Sequence, residues 1–219
     1  MKRLIVNADD LGFSAGVNRG IREARERGIL TSASLMVDAP AAEEAVELAA
    51  RLSVGLHAVL DRGGKLLVPP AECEPELERQ LGRFEELVGG SPTHLDSHHH
   101  IHRDPRLLPA FEAFADRHAL PLRDHSNARH CPLFYGRWDD RSHPEQISVE
   151  SLLVILGQIG DGITELGCHP GYADGLTSTY TGERETEVRT LTDPRVRTRV
   201  GELGIKLIGF DELSRLGRP

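Results

Sequence analysis

Short apolar runs alternate with longer segments of helical periodicity from one end of the 219-residue chain to the other. That alternation limits the possible folds more than any other feature. Arg3–Asn7 (RLIVN), Leu30–Val37, Val54–Leu60, Thr93–Asp96, Gly162–Cys168 and Ile205–Ile208 read as strands, with Leu120–Arg123 a short further one. Between them, Ser14 to Gly28 has an N-capping serine, an apolar stripe of Val17, Ile21 and Ala24, and a glycine stop, so it reads as a helix. The same reasoning predicts helices over Ala41–Leu52, Glu76–Val88, Pro105–His118, Val149–Gln158, Glu183–Leu191 and Pro194–Leu203, with a last helical turn from Asp211. A β-α alternation implies parallel strands joined by right-handed crossovers. About seven strands fit either a short, distorted (β/α) barrel or a doubly wound open sheet, in a single domain over residues 1–219. His125–Pro144 breaks the rhythm and reads as a long irregular loop.

Both architectures collect ligands at the carboxyl ends of the strands, and the polar chemistry falls there. Asp9 and Asp10 follow the first strand, Ser34 lies in the second and His57 in the third. His94 to His102 lie within and after the fourth, Arg123 ends the fifth, and His169 follows the sixth. The barrel accounts for this shared rim better than the open sheet.

Composition removes several classes of function. Lys plus Arg number 26 against 34 Asp plus Glu, a net charge of −8, which disfavours nucleic acid as a partner. Three cysteines without a CxxC pair argue against a disulfide framework and fit a reducing compartment. Only Leu4, Ile5 and Val6 precede the polar Asn7, too few for a secretory signal, and no apolar run is long enough to span a membrane. A cytoplasmic protein with no membrane span is therefore expected.

Four sequence motifs carry candidate chemistry. Asn7-Ala8-Asp9-Asp10 sets two carboxylates side by side at a strand end, where neighbours diverge and can do separate jobs, although a turn or cap role is the common use of such a pair. Gly55-Leu56-His57 places an imidazole inside an apolar strand, as a core histidine or a metal ligand. Thr93 to His102 (THLDSHHHIH) packs four histidines into residues 98–102 after Asp96, as first ligands and their orienting partners would be arranged. Spacing leaves open which ring binds: in an extended strand His98, His100 and His102 share a face with Asp96, and His99 points the other way. Gly167-Cys168-His169-Pro170-Gly171-Tyr172 fixes a histidine by a following proline, which suits an acid or base, while Cys168 reads as core. Arg123 and Tyr172 are the candidates for substrate binding, Arg123 with the alternative of pairing with a carboxylate. Tyr135 and Trp138 could stack on a sugar or anchor their loop.

Taken together, IVNADDLGFSAGVNRGI, GILTSASLMV, VGLH, PTHLDSHHHIH, TELGCHPGYAD and the tail LTDPRVRTRVGELGIKLIGFDEL closely resemble the YdjC-like carbohydrate deacetylases, which include chito-oligosaccharide deacetylases and hopanoid-associated relatives. The resemblance runs from residue 5 to about residue 213 in family order. It implies a distorted barrel akin to polysaccharide deacetylases, one divalent metal ion, and hydrolysis of an N-acetyl group from an amino sugar or short N-acetylglucosamine-containing carbohydrate. Carried over by motif, the metal ligands are Asp10, His57 and His99, the base is Asp9 and the acid is His169, with Asp96 and His98 as partners that orient the ligands. Magnesium is the ion associated with the family, whereas nitrogen-rich ligation favours zinc or another transition metal. Homodimerisation is a family-level expectation. The chain departs from the family after GLH, where only Ala58–Pro92 stands in place of a longer insertion, and where Ala58 and Val59 replace a polar run.

Two other readings compete. A barrel phosphoesterase or cyclic amidase would use the same metal, but a phosphoesterase wants more bridging carboxylates and a stronger basic clamp than Arg123 and Arg129 supply. A non-catalytic metal- or sugar-binding protein predicts tight metal binding without turnover.

Overall fold

The computed structural model describes residues 1–174, 176 and 178–215, so the last four residues of the expected domain lie outside the described ones. Strand β1 (Lys2–Leu11), helix α1 (Ala15–Arg27), β2 (Ser32–Leu35), α2 (Ala42–Ala49) and β3 (Ser53–Ala58) follow the expected alternation. A small hairpin of β4 (Asp61–Arg62) and β5 (Lys65–Leu66) precedes α3 (Cys73–Val88), β6 (Leu95–Ser97) and α4 (Leu108–Arg117). Next come β7 (Ala128–Cys131) and a second hairpin of β8 (Arg137–Trp138) and β9 (Arg141–Ser142). The chain then runs through α5 (Val149–Gln158), β10 (Gly162–Cys168), α6 (Gly182–Thr192), α7 (Pro194–Glu202), β11 (Lys206–Leu207) and α8 (Phe210–Arg215).

The main sheet is parallel, in the order β6-β3-β2-β1-β10-β7, with β11 beside the start of β1. Beyond β6, Leu122 bridges to Leu95 in parallel, where the short fifth strand was expected. The next residue, Arg123, bonds to Asp9 on β1 and to Glu165 on β10, which lie at the middle of the sheet order. A residue beyond one edge can touch the central strands only if the sheet curls round on itself. The result is the short, distorted barrel, with helices packed outside.

Local chemistry explains the elements. Ser14 is extended (φ −155°) and its Oγ accepts the Val17 N–H at 3.2 Å, satisfying one free donor at the start of α1. Val17, Ile21 and Ala24 are buried against the sheet. Gly28 ends the helix, after Arg25 and Arg27 have placed positive charge against the negative end of its dipole. The segment 125–144, expected to be irregular, contributes β7, which pairs with β10 from Ala128 opposite Ile163 to Cys131 opposite Leu166. Ala-Arg-His-Cys is too short and too polar to signal a strand, and as an edge strand it needs no second apolar neighbour.

Candidate active site

The aspartate pair comes from a fault in the sheet. Pairing of β1 with β2 shifts register between Ala8 and Leu11, and Asp10 takes a left-handed backbone (φ 66°). A bulge of this kind re-aims side chains, so two adjacent carboxylates reach the same barrel mouth from different directions. Their surroundings then separate them.

Asp9 is clamped by Arg123. Nη1 donates to Oδ2 at 2.8 Å and Nη2 to Oδ1 at 2.7 Å, while the Asn7 amide adds a bond to Oδ1 at 3.0 Å. Burial works against the charge, but Arg123 outweighs it and holds Asp9 well below the ordinary carboxylate range. Arg123 also meets Asp96 Oδ2 at 2.8 Å and Glu165 Oε1 at 2.8 Å through Nε, so one guanidinium serves three buried carboxylates. Glu165 is pushed up to about 7, chiefly by burial.

Asp10 faces the histidines. Its Oδ1 lies 3.0 Å from His98 Nδ1 and 3.3 Å from His57 Nε2, and its Oδ2 accepts from Arg184 of α6 at 2.5 Å. His57 gives Nδ1 to Asp96 Oδ1 at 2.7 Å, which leaves Nε2 buried, without a hydrogen-bond partner and aimed at Asp10. Burial disfavours a charge on this ring, yet Asp96, Asp10 and Asp9 raise it to about 10. The position demands a positive charge. A divalent cation between Asp10, His57 and His98 would meet that demand, because the three ligand atoms lie within 4.8 Å of one another. The carboxylate-to-histidine bond from Asp96 is the usual way a ligating imidazole is oriented. Asp9, His57 and Asp96 are equally close, but two of these already neutralise Arg123, whose charge would repel a second cation.

The histidine run turns as it leaves β6. His99 and His100 both have φ 52°, so the chain reverses after His98. His98, expected as an orienting partner, therefore takes the position beside Asp10 that the family motif had implied for His99. His99 gives Nδ1 to Asp61 Oδ2 at 2.9 Å, and its side chain is 52% exposed. His100 packs near His130, with ring centroids 5.6 Å apart, and His102 meets the Ser97 hydroxyl at 2.6 Å.

His169 stands on the other side of the pair, its Nε2 3.9 Å from Asp9 Oδ2 and its Nδ1 buried without a partner. Burial lowers it to about 4. Its backbone N–H donates to Glu187 of α6, whose other oxygen takes the Tyr180 hydroxyl at 2.5 Å. The turn carrying it packs directly on α1: a Cβ on Gly20 would lie 2.5 Å from Gly171 Cα, and one on Gly16 2.4 Å from the Tyr172 carbonyl oxygen.

Both substrate-binding candidates are engaged by other side chains. Arg123 is about 1% exposed and lies beneath the carboxylates as their counterion. Tyr172 turns toward α1, where its hydroxyl donates to Glu23 at 2.5 Å and Arg19 lies 4.6 Å above its ring. Arg184, Glu187 and Glu165 were missed. The sequence carried no signal for the first two: α6 has no apolar stripe, yet it buries Glu183, Arg184, Glu187 and Thr190 beside Val188 and Leu191. Charge on a buried helix face requires partners inside.

A curled parallel barrel with an Asp/His cluster at the strand ends defines the polysaccharide-deacetylase-like class of fold. Among solved structures of that class, the Bc1960 peptidoglycan N-acetylglucosamine deacetylase superposes with a TM-score of 0.63 at 12% identity, over 99% of this chain and 89% of its own. A structure from Enterococcus faecalis V583, described as that of a candidate cellobiose-phosphate cleavage protein, superposes with a TM-score of 0.85 at 28% identity, over 97% of this chain and 98% of its own. The family model described as YdjC-like protein matches residues 3–202, and the chain belongs to that family. Its relatives include a carbohydrate deacetylase of Geobacillus stearothermophilus, 37% identical over 97% of this chain and 98% of the relative. A chitooligosaccharide deacetylase of Serratia marcescens is 35% identical over 97% of this chain and 99% of the relative. No helix among the described residues is long and apolar enough to cross a membrane.

Proposed function

We propose that the protein is a metal-dependent carbohydrate N-deacetylase, which hydrolyses an N-acetylated amino sugar to acetate and the free amine. The observation that carries this reading is the division of labour between neighbours: Asp10 joins His57 and His98, while Asp9 stays apart, 3.9 Å from His169. The names of the relatives, a carbohydrate and a chitooligosaccharide deacetylase, support the same chemistry. Asp10, His57 and His98 would hold one divalent ion, zinc or magnesium. Bound there, such an ion polarises the acetyl carbonyl and acidifies water.

The chain's own residues handle the proton. Asp9, kept ionised and fixed by Arg123, takes a proton from the attacking water as its oxygen adds to the carbonyl carbon. His169 stands 3.9 Å from Asp9, and burial keeps its ring neutral, so it is the nearby group free to take that proton up. Once the carbonyl carbon is tetrahedral its nitrogen is an amine and far more basic, and His169 gives the proton to it as the C–N bond breaks, so the proton lost by water leaves on the amine. His169 need not be charged beforehand, which reconciles its low proton affinity with a role as acid.

The test is acetate release from N-acetylglucosamine and its short oligomers by metal-stripped protein, then with zinc, magnesium, cobalt or manganese added. Metal-dependent release that disappears in Asp9→Asn, with metal still bound, is the expected result. Metal binding without acetate release from any of these sugars overturns the reading.

A further inference from the structure

Large apolar side chains exposed to solvent are few among the described residues, and half of them share one short stretch. Leu133, Tyr135 and Trp138 fall within six residues, whereas Met1, Leu67 and Val154 are scattered. The stretch borders the proposed acid. The Tyr135 ring meets His169 edge-on at 5.6 Å and lies flat against Tyr180, with centroids 5.1 Å apart and planes 10° apart.

The backbone next to Tyr135 is tied to Tyr180. The Tyr180 hydroxyl accepts the N–H of Gly136, the residue after Tyr135, at 3.0 Å, and donates to Glu187. Glu187 in turn accepts the His169 N–H, so one buried carboxylate ties together the acid and the ring beside it. Gly136 packs closely on the Ile147 side chain, whose end would have to shift to admit a Cβ, 2.7 Å away. Tyr135 is nevertheless 42% exposed: Tyr180 covers one face, and a fixed aromatic surface remains open next to His169.

We infer that Tyr135 is the platform for the pyranose ring that carries the acetamido group, and so a substrate-binding residue of this site. The inference rests on the deacetylase reading and adds to it the surface that positions the sugar. A pyranose has an apolar face of axial C–H groups that packs on an aromatic ring, while its hydroxyls stay in water. Seated on Tyr135, a sugar places its amide nitrogen at the His169 edge. Neither Arg123 nor Tyr172 can provide such a surface, the first being buried and the second turned to α1.

The experiment compares wild type, Tyr135→Ala and Tyr135→Phe, metal-loaded, on the β-1,4-linked dimer of N-acetylglucosamine. Calorimetric binding of the same dimer is measured with each Tyr135 change in an Asp9→Asn background. Loss of the ring should raise KM and Kd about tenfold with kcat largely kept, the scale of one aromatic stacking contact plus its buried area. Tyr135→Phe, which keeps the ring and loses the hydroxyl, should match wild type. An alanine variant with unchanged KM and Kd overturns the proposal, as does one that loses kcat alone, which would mean that Tyr135 acts on His169 and not on the sugar. If wild type releases no acetate, the deacetylase reading fails by itself and the binding series still decides the platform. No binding of the dimer by the Asp9→Asn protein overturns it.

Discussion

His98 Nδ1 stands 3.0 Å from Asp10 Oδ1, whereas the next ring along, His99, gives its Nδ1 to Asp61. Two identical neighbours are therefore expected to differ in metal binding. His98→Ala should abolish high-affinity uptake of zinc by the metal-stripped protein in a calorimetric titration, and His99→Ala should leave it unchanged. The reverse order would return the ligand role to His99.

Asp96 meets the proposed metal site through His57, by the 2.7 Å bond to Nδ1. Asp96→Asn should weaken metal affinity by roughly 10–100-fold, the usual cost of removing the partner that orients a ligating histidine. Competition against a chromophoric chelator measures it, and an unchanged affinity would mean that Ser34, 3.2 Å from the same nitrogen, is sufficient.

Replacing Arg123 strands three carboxylates in the barrel. Arg123→Met should cost roughly 3–5 kcal/mol of stability in urea denaturation, the range for breaking a buried ion pair from one side. Arg123→Lys should recover only part of this, because an ammonium cannot grip Asp9 through two parallel bonds. A methionine variant as stable as wild type would contradict the clamp.

His94 makes folding sensitive to acid. The ring is buried, stacked 3.8 Å from Phe210 and packed against Gly55, and burial lowers it to about 4. An unfolded chain holds histidine near 6.5, so below that pH the unfolded state takes up a proton that the folded state refuses. Stability contributed by this group is complete above about pH 6.5 and is lost as pH falls toward 4, by roughly 3 kcal/mol in all. Urea midpoints followed from about pH 7.5, above this window, down to about pH 4.5, near its lower end, should fall in wild type. They should fall less steeply in His94→Gln, whatever that change does at neutral pH. Equal slopes would exclude His94 as a source.

The fold was legible because its signals are local. The strand Gly162–Cys168 and the helix behind Ser14 follow from runs and caps that any window of the sequence contains. The rim position of Asp9, Asp10, His57 and His169 followed from the rule for strand ends. What stayed hidden depends on backbone sign or on distant partners. Period-two reasoning carries an extended strand through residues 98–102, but two left-handed residues end it, and the facing order of the rings changes. Nothing near Arg123 says that it will meet Asp9, 114 residues away, and not the substrate. The carboxylate Glu187, which joins His169 to Tyr180, lies in a helix with no apolar stripe to show which face turns inward.

The seam between α1 and the turn after β10 brings main chain against main chain, with glycine on both sides at Gly20 and Gly171. That seam works as a fixed gauge. The helix follows shortly after the aspartate pair and the turn carries His169, so the spacing between Asp9 and His169 is set by the thickness of two peptide backbones. Any side chain at Gly16 or Gly20 would force the two backbones apart, whereas replacements away from the seam leave that dimension alone. Adaptation to a bulkier or differently linked sugar would then have to proceed along the loop from Leu133 to Trp138, leaving the reacting groups at their original spacing.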